Sequence, residues 1–332
     1  MTTELPILGI SMGDPAGVGP EVILKNLYLR DDRFLPLLIG KVDVFEYYSR
    51  KYGLNIDFYA VSDVSELKSG KAVGVLEIFP DETVSIFPGK PFPKGSQTAM
   101  EAVRTGALLA LDKKISALVT APIYKKGVIE AGYDVQGHTD FLAKITGTDK
   151  YVMMLVGGGL RVSLVTIHLP LQQVFAKLTQ DSIFDVIVIT HNALRRLGLN
   201  RPRIAVCGLN PHAGEEGHIG TEERDIIAPA VLNALRQGIK VTGIFPADTV
   251  FWDMLQGQAD AVVAMYHDQG LIPVKTMAFD SGVNATIGLP IIRTSPDHGT
   301  AFSIAGQNKA NPKSMREAML LALEFGRHTA DE

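Results

Sequence analysis

Ten apolar runs of strand length recur along this chain, at 5–11, 34–40, 73–79, 115–120, 151–156, 160–167, 203–209, 240–245, 260–265 and 283–288. Segments of helical period separate several of them, at 20–30, 96–112, 122–131, 181–197, 222–237 and 313–327. Strand–helix alternation requires crossover connections, and so predicts parallel pairing with helices on both faces. One stretch departs from this. In YVMMLVGGGLRVSLVTIH two apolar runs flank a glycine triplet, which predicts a β-hairpin and an antiparallel insertion. The expected fold is α/β, a mostly parallel sheet with that insertion, in two domains with a cleft between them. The first domain would combine 1–132 with 284–332, the second would be 133–283, and the C-terminal helix would return to the first. Region 80–96 holds four prolines and little periodicity, and reads as a linker or long loop.

With 332 residues, 46% of them hydrophobic, the chain can build one large or two medium cores. A net charge of −4 argues against a nucleic-acid partner, which needs a basic face. The single cysteine, Cys207, lies inside an apolar run and reads as a small core residue. One cysteine allows no intrachain disulfide and no thiolate metal site of its own, which suits a reducing compartment. The opening MTTELPILGIS lacks the charged, apolar and cleavage regions of a signal peptide. No apolar run approaches bilayer length. The expected location is the cytoplasm, with no membrane contact.

Three histidines follow apolar runs directly: His168 after RVSLVTI, His212 in RIAVCGLNPH and His267 in DAVVAMYH. Open α/β sheets bind ligands at the carboxyl ends of their strands. Imidazoles delivered there from three segments form a candidate divalent-metal site. The alternative is that each is a capping or core-edge residue.

Further motifs accompany them. GDPAGVGPE at 13–21 joins the first strand to a helix; Asp14 stands at the sheet edge, and Gly17 and Gly19 would permit a tight turn and close approach to a ligand. Pro20 suits the first helical turn. GHTD at 137–140 precedes a helical segment, so His138 and Thr139 would stand beside free N–H groups, a good anion site. Lys275, Asn284 and Arg293 each follow an apolar run, and cations converging at one edge suit a phosphate or carboxylate. Residues 298–312, HGTAFSIAGQNKANP, read as loop–helix–loop.

Taken together, GDPAGVGPE, GHTD, NPHAGE, PADT, YHDQG, GVN and RTSPDHGTAF resemble the 4-hydroxythreonine-4-phosphate dehydrogenase family over almost the whole chain, most weakly in 30–95. That family is similar in fold to isocitrate and isopropylmalate dehydrogenases, whose adenine-side loop also reads His-Gly-x-Ala, Ala-Gly, Asn-Pro. The resemblance implies NAD (or NADP) bound by His298, Gly299, Thr300, Ala301 and Asn311. It implies one divalent ion (Zn, Mg, Co or Mn) on His168, His212 and His267, shared across a homodimer. It makes His138, Thr139, Lys275, Asn284 and Arg293 the substrate contacts, with Asp248, Asp268 and Lys125 as candidates for proton transfer or for orienting the histidines.

The reaction so implied is oxidation and decarboxylation of a four-carbon hydroxy acid 4-phosphate. The first expectation is 4-hydroxy-L-threonine 4-phosphate going to 3-amino-2-oxopropyl phosphate and CO2 in vitamin B6 synthesis. Relatives acting on D-threonate or D-erythronate 4-phosphate, giving dihydroxyacetone phosphate, share most of these motifs, and some members carry Glu where this chain has Asp14. A phosphate acyltransferase would need neither the histidines nor the adenine loop. A non-catalytic binding protein on the same scaffold is the remaining rival.

Overall fold

The structure is a computed structural model describing residues 5–84, 86–135 and 137–327. The chain divides into two compact units, Met1–Thr148 with Leu289–Glu332, and Asp149–Gly288. The first begins with β1 (Ile7–Ser11), α1 (Gly19–Tyr28), β2 (Leu35–Gly40), α2 (Val42–Tyr52), β3 (Phe58–Val61), β4 (Val73–Glu77), α3 (Pro93–Leu111), β5 (Ala117–Thr120), α4 (Lys125–Glu130) and α5 (His138–Thr146). The second carries β6 (Val152–Gly157), β7 (Leu160–Leu164), α6 (Leu171–Lys177), α7 (Gln180–Arg196), β8 (Ile204–Cys207), α8 (Ala228–Arg236), β9 (Val241–Phe245), α9 (Val250–Leu255), β10 (Ala261–Ala264), α10 (His267–Ala278) and β11 (Val283–Ile287). The chain then returns to the first unit with β12 (Arg293–Pro296) and α11 (Lys313–Arg327).

In the first unit the strands run β3-β4-β2-β1-β5-β12, all parallel. Their apolar side chains are sealed on both faces: Leu8, Ile10, Leu37, Leu38 and Leu118 are fully buried. That is why these strands read as continuous apolar runs. In the second unit the order is β11-β6-β7-β10-β8-β9; β11 and β6, and β6 and β7, are antiparallel and the rest parallel. The β6–β7 hairpin turns on Gly158 and Gly159, at φ 60° and 84°, the positive values that a two-residue hairpin turn matching strand twist demands. Its apolar core joins Leu155, Val162, Leu164, Val262 and Cys207.

The exchanges between units come after 148 and after 288 rather than at 132 and 283. Helix α5 remains with the first unit, and β11 pairs with β6 through Ile287↔Val152 in the second. The proline-rich loop is shorter than 80–96, because Pro93 opens α3 after an extended Phe92, the conformation that a following proline favours.

Elements without a clear local signal also form. Helix α2 buries Val44, Phe45 and Tyr48, spaced as one helix face. Helix α10 contains Gly270 and Pro273, residues that discourage helices. A Cβ at Gly270 would come within 2.6 Å of Leu164 and 2.9 Å of Val162, so the glycine lets α10 lie close to β7. Strand β12 reads RTSP, with no apolar pattern, yet is buried throughout. Residues 301–308 form successive turns, closed by bonds such as Ile304 N–H to the Ala301 carbonyl, rather than the expected short helix. No helix among the described residues is long and apolar enough to cross a membrane.

Candidate active site

In the first unit several polar side chains gather at the end of β5. Arg293 opens β12 and is 4% exposed. Its Nε and Nη2 both donate to the Thr120 hydroxyl, at 3.0 and 2.8 Å. Burial pulls the guanidinium down to about 9, so it still carries its charge at neutral pH. The neighbouring Ala121 carbonyl accepts a hydrogen bond from the His138 ring. His138 Nε2 is buried without a hydrogen-bond partner, so Nδ1 is the nitrogen that donates. Burial, then the charges of Arg293 and Lys125, hold this imidazole well below its ordinary range. It is neutral, and its free nitrogen is an acceptor. The group it meets must therefore bring a hydrogen, as a hydroxyl or a singly protonated phosphate does.

His138 and Thr139 are the first residues of α5, whose N-cap is Gly137 and has no side-chain cap. The positive end of the helix dipole at that first turn favours an anion. Lys125 opens α4, and its Cε would lie 3.9 Å from a Cβ built on Gly137. His138 thus stands near Arg293 and Lys125, with Thr139 next to it on α5. Thr120 and Ala121 were not anticipated; the only local signal is a hydroxyl ending the apolar run ALVT.

Asp14 lies below the same strand ends, fully buried. It accepts from Ala16 N–H at 3.0 Å and from Ser96 Oγ at 3.3 Å. Burial raises its carboxyl to about 6 against these two hydrogen bonds. Gly17 permits close packing: a Cβ there would lie 3.0 Å from the Thr300 carbonyl, which also accepts Val18 N–H at 3.0 Å.

Helix α1 thereby grips the 298–312 segment. Glu21 accepts Ala310 N–H at 2.8 Å, Lys25 Nζ donates to the Ala310 carbonyl at 2.9 Å, and Asn26 Nδ2 donates to that of Pro312 at 2.9 Å. His298 Nε2 is buried without a hydrogen-bond partner, and a Cβ on Gly299 would meet nothing within 4 Å. Ala301 adopts φ 44°, and the Asn311 side chain accepts Lys313 N–H at the start of α11. An orphaned polar atom beside an open glycine fits a bound polar ligand.

In the second unit, β7 and β10 are parallel neighbours, so the residues after them meet. The His168 and His267 rings stand 5.6 Å apart between centroids. His267 Nδ1 lies 2.7 Å from Asp268 Oδ1. A carboxylate on Nδ1 leaves Nε2 free for a metal, the usual arrangement of a ligating histidine. Two neighbouring imidazoles, one so oriented, fit a divalent ion. His212 is exposed on the loop after β8. Among the described residues no group of three or more metal-ligand side chains forms within this one chain.

The remaining expected residues lie apart in kind. Asp248 is exposed on the turn after β9. Lys275 does not follow a strand; it sits in the last turn of α10, its ammonium 5.7 Å from the Phe279 ring. Asn284 is inside β11, opposite Leu155.

Comparison with known proteins adds the following. The family described as pyridoxal phosphate biosynthetic protein PdxA matches residues 32–322. A 4-hydroxythreonine-4-phosphate dehydrogenase from Desulforapulum autotrophicum is 44% identical, covering 97% of this chain and 96% of its own. A relative from Oceanobacillus iheyensis, named provisionally as a D-threonate 4-phosphate dehydrogenase, is 41% identical, covering 97% and 98%. The crystal structure of 4-hydroxythreonine-4-phosphate dehydrogenase from Klebsiella pneumoniae is similar with a TM-score of 0.86 at 39% identity, covering 97% of this chain and 99% of that one.

Proposed function

Because the chain belongs to the family of pyridoxal phosphate biosynthetic protein PdxA, we propose that it oxidises 4-hydroxy-L-threonine 4-phosphate with NAD. CO2 is released and 3-amino-2-oxopropyl phosphate is formed for pyridoxal phosphate synthesis. What supports this reading most is the group of polar side chains at the end of β5. Buried Arg293, the α5 N-terminus and Lys125 supply positive character, and neutral His138 supplies an acceptor for a substrate hydrogen. Arg293 brings a planar guanidinium, and Thr120 keeps it in one orientation. Lys125 stands beside them as the candidate for proton transfer.

His168, His212 and His267 are the ligands for a divalent ion, with Asp268 orienting His267. A three-imidazole donor set suits Zn and also admits Co, Mn or Mg. The chemistry such an ion supplies is Lewis acidity toward the hydroxyl that is oxidised and the carbonyl that replaces it. The redox capacity is that of the nicotinamide, with His298–Ala301 and Asn311 holding the dinucleotide. Lys275, Asn284 and Thr139 complete the substrate contacts, and Asp248 is a further candidate for proton transfer.

The protein works as a homodimer in which each copy completes the other's metal centre. Supporting this, the His168 and His267 rings are neighbours while no group of three metal-ligand side chains forms within one chain among the described residues, and the second unit exposes Phe279, Trp252 and Ile272 at 82%, 66% and 64%. Light scattering that finds an active monomer at assay concentration would refute it. The single cysteine, with its thiol pushed up by burial, suits a reducing compartment such as the cytoplasm.

The test is NADH absorbance with the purified protein, Zn2+ or Mg2+, and each of three acids. 4-Hydroxythreonine 4-phosphate should give the highest kcat/KM. A higher value with D-threonate 4-phosphate, with dihydroxyacetone phosphate as product, establishes the second reading, which the 41% identical relative favours. No NADH from 4-hydroxythreonine, D-threonate or D-erythronate 4-phosphate sinks the dehydrogenase assignment.

A further inference from the structure

The loop carrying His212 has a backbone that it cannot hold by local preference. From His212 to Gly217 six consecutive residues have positive φ: 53°, 52°, 81°, 44°, 57° and 97°. His212, Ala213, Glu215 and Glu216 are not glycines, and each L residue in this left-handed region brings its Cβ against the following carbonyl. Such conformations persist only where surrounding structure over-determines them.

The surroundings that do so centre on one carboxylate. Glu223 is 8% exposed and opens a π-turn, Glu223–Ile227, ahead of α8. Its Oε1 accepts the backbone N–H groups of Leu209 and Asn210, both at 2.7 Å. Its Oε2 accepts Asn210 Nδ2 at 3.0 Å. The carboxylate is seated between two glycines: a Cβ on Gly208 would lie 3.2 Å from Oε1, and one on Gly214 only 2.5 Å from Oε2. Gln269, 8% exposed, extends the brace toward the other histidines. It accepts Met265 N–H at 2.6 Å, two residues before His267, and donates to the Gly208 carbonyl at 2.7 Å.

We propose that Glu223, braced through Gly208 by Gln269, is the positioning residue of the His212 loop and fixes where its imidazole stands for metal binding. It touches neither ion nor substrate; it holds the base of the turn from which His212 departs. The proposal rests on the reading of His212 as a metal ligand. Residues that orient ligands from behind typically change metal affinity by roughly ten- to a hundredfold when removed.

The experiment uses the full-length protein stripped of metal. Zn2+ affinity is measured by calorimetry, the Co2+ complex by its visible spectrum, and backbone order by hydrogen exchange over 208–217. Glu223→Ala should lower Zn2+ affinity by roughly ten- to a hundredfold, alter the Co2+ spectrum and accelerate exchange in 208–217 selectively. Glu223→Gln keeps one oxygen for the two backbone N–H groups and should fall between this variant and wild type, which also guards against a misfolded alanine variant. Adding Ala213→Gly, which removes a Cβ from the left-handed turn, should recover part of the affinity in the Glu223→Gln background. Wild-type protein that binds neither Zn2+ nor Co2+ overturns the metal reading and the proposal with it. Wild type that binds the ion while both Glu223 variants bind it equally well, with unchanged exchange, overturns the role of Glu223 alone.

Discussion

The two units prepare their chemistry differently. In the first, the proposed anion site rests on buried groups: Thr120 and Ala121, adjacent at the end of β5, bond Arg293 and His138. In the second, His168 and His267 meet because β7 and β10 are neighbours, while His212 stands exposed on a left-handed loop. A pocket built on one strand end needs little beyond the fold. The metal centre proposed from three strand ends would need more: Asp268 meets His267, while Glu223 and Gln269 bond the backbone at the base of the His212 loop.

The sharpest way to break this contrast is to remove a histidine. His168→Ala or His267→Ala should abolish divalent-ion binding and cost several kcal/mol of transition-state stabilisation, on the order of a thousandfold in kcat. Calorimetric titration with Zn2+ and circular dichroism check this: native spectra are expected with no ion bound, and full turnover after chelation would remove the metal from the mechanism.

Next in size is Arg293→Lys, which replaces a buried planar fork by a point charge. The loss of charge-assisted hydrogen bonds, about 1.5–3 kcal/mol, should raise the KM for the phosphorylated acid roughly ten- to a hundredfold. The KM for NAD should not move. If NAD weakens and the acid does not, Arg293 belongs to the cofactor half of the site.

Asp14 provides a pH-dependent comparison within the first unit. Burial raises its carboxyl to about 6, above the ~3.9 of an unfolded chain. The folded state then binds this proton more tightly. The associated stability is complete below pH ~4 and is lost as pH rises to about 6. Asp14→Asn should accordingly be more stable than wild type at pH 8, by up to about 3 kcal/mol, with the advantage gone near pH 4. Urea unfolding at the two pH values measures it; an equal difference at both would show that the carboxyl does not titrate in this range.

The smallest expected effect separates ligand from scaffold in the 298–312 segment. Gly299→Ala meets open space and should change stability by less than about 0.5 kcal/mol while raising the KM for NAD. Gly17→Ala presses on the Thr300 carbonyl and should lower the melting temperature as well. An unchanged NAD KM in Gly299→Ala would move the dinucleotide away from this loop.

What the sequence alone determined is what local pattern can carry. Ten apolar runs correspond to ten strands, and those buried on both faces, such as β1 and β10, are the most plainly legible because they need no partner to be recognised. The glycine pair of the hairpin and Pro20 at the start of α1 were legible for the same reason: each answers a local backbone demand. The three strand-end histidines were legible as residue types after apolar runs, whereas Lys275 lies in the last turn of α10 and Arg293 opens β12. Only the tertiary structure decided their partners. Arg293 meets Thr120, 173 positions away, because β12 lies beside β5, and nothing in RTSP announces a buried strand. The tautomer of His138 depends on the Ala121 carbonyl facing it. Glu223 reads as an ordinary acid in TEERD until Gly208 and Gly214 open a space for its carboxylate. Strand formation follows from a residue's own neighbours in sequence. The orientation of a catalytic side chain follows from which distant backbone and hydroxyl groups the fold brings against it.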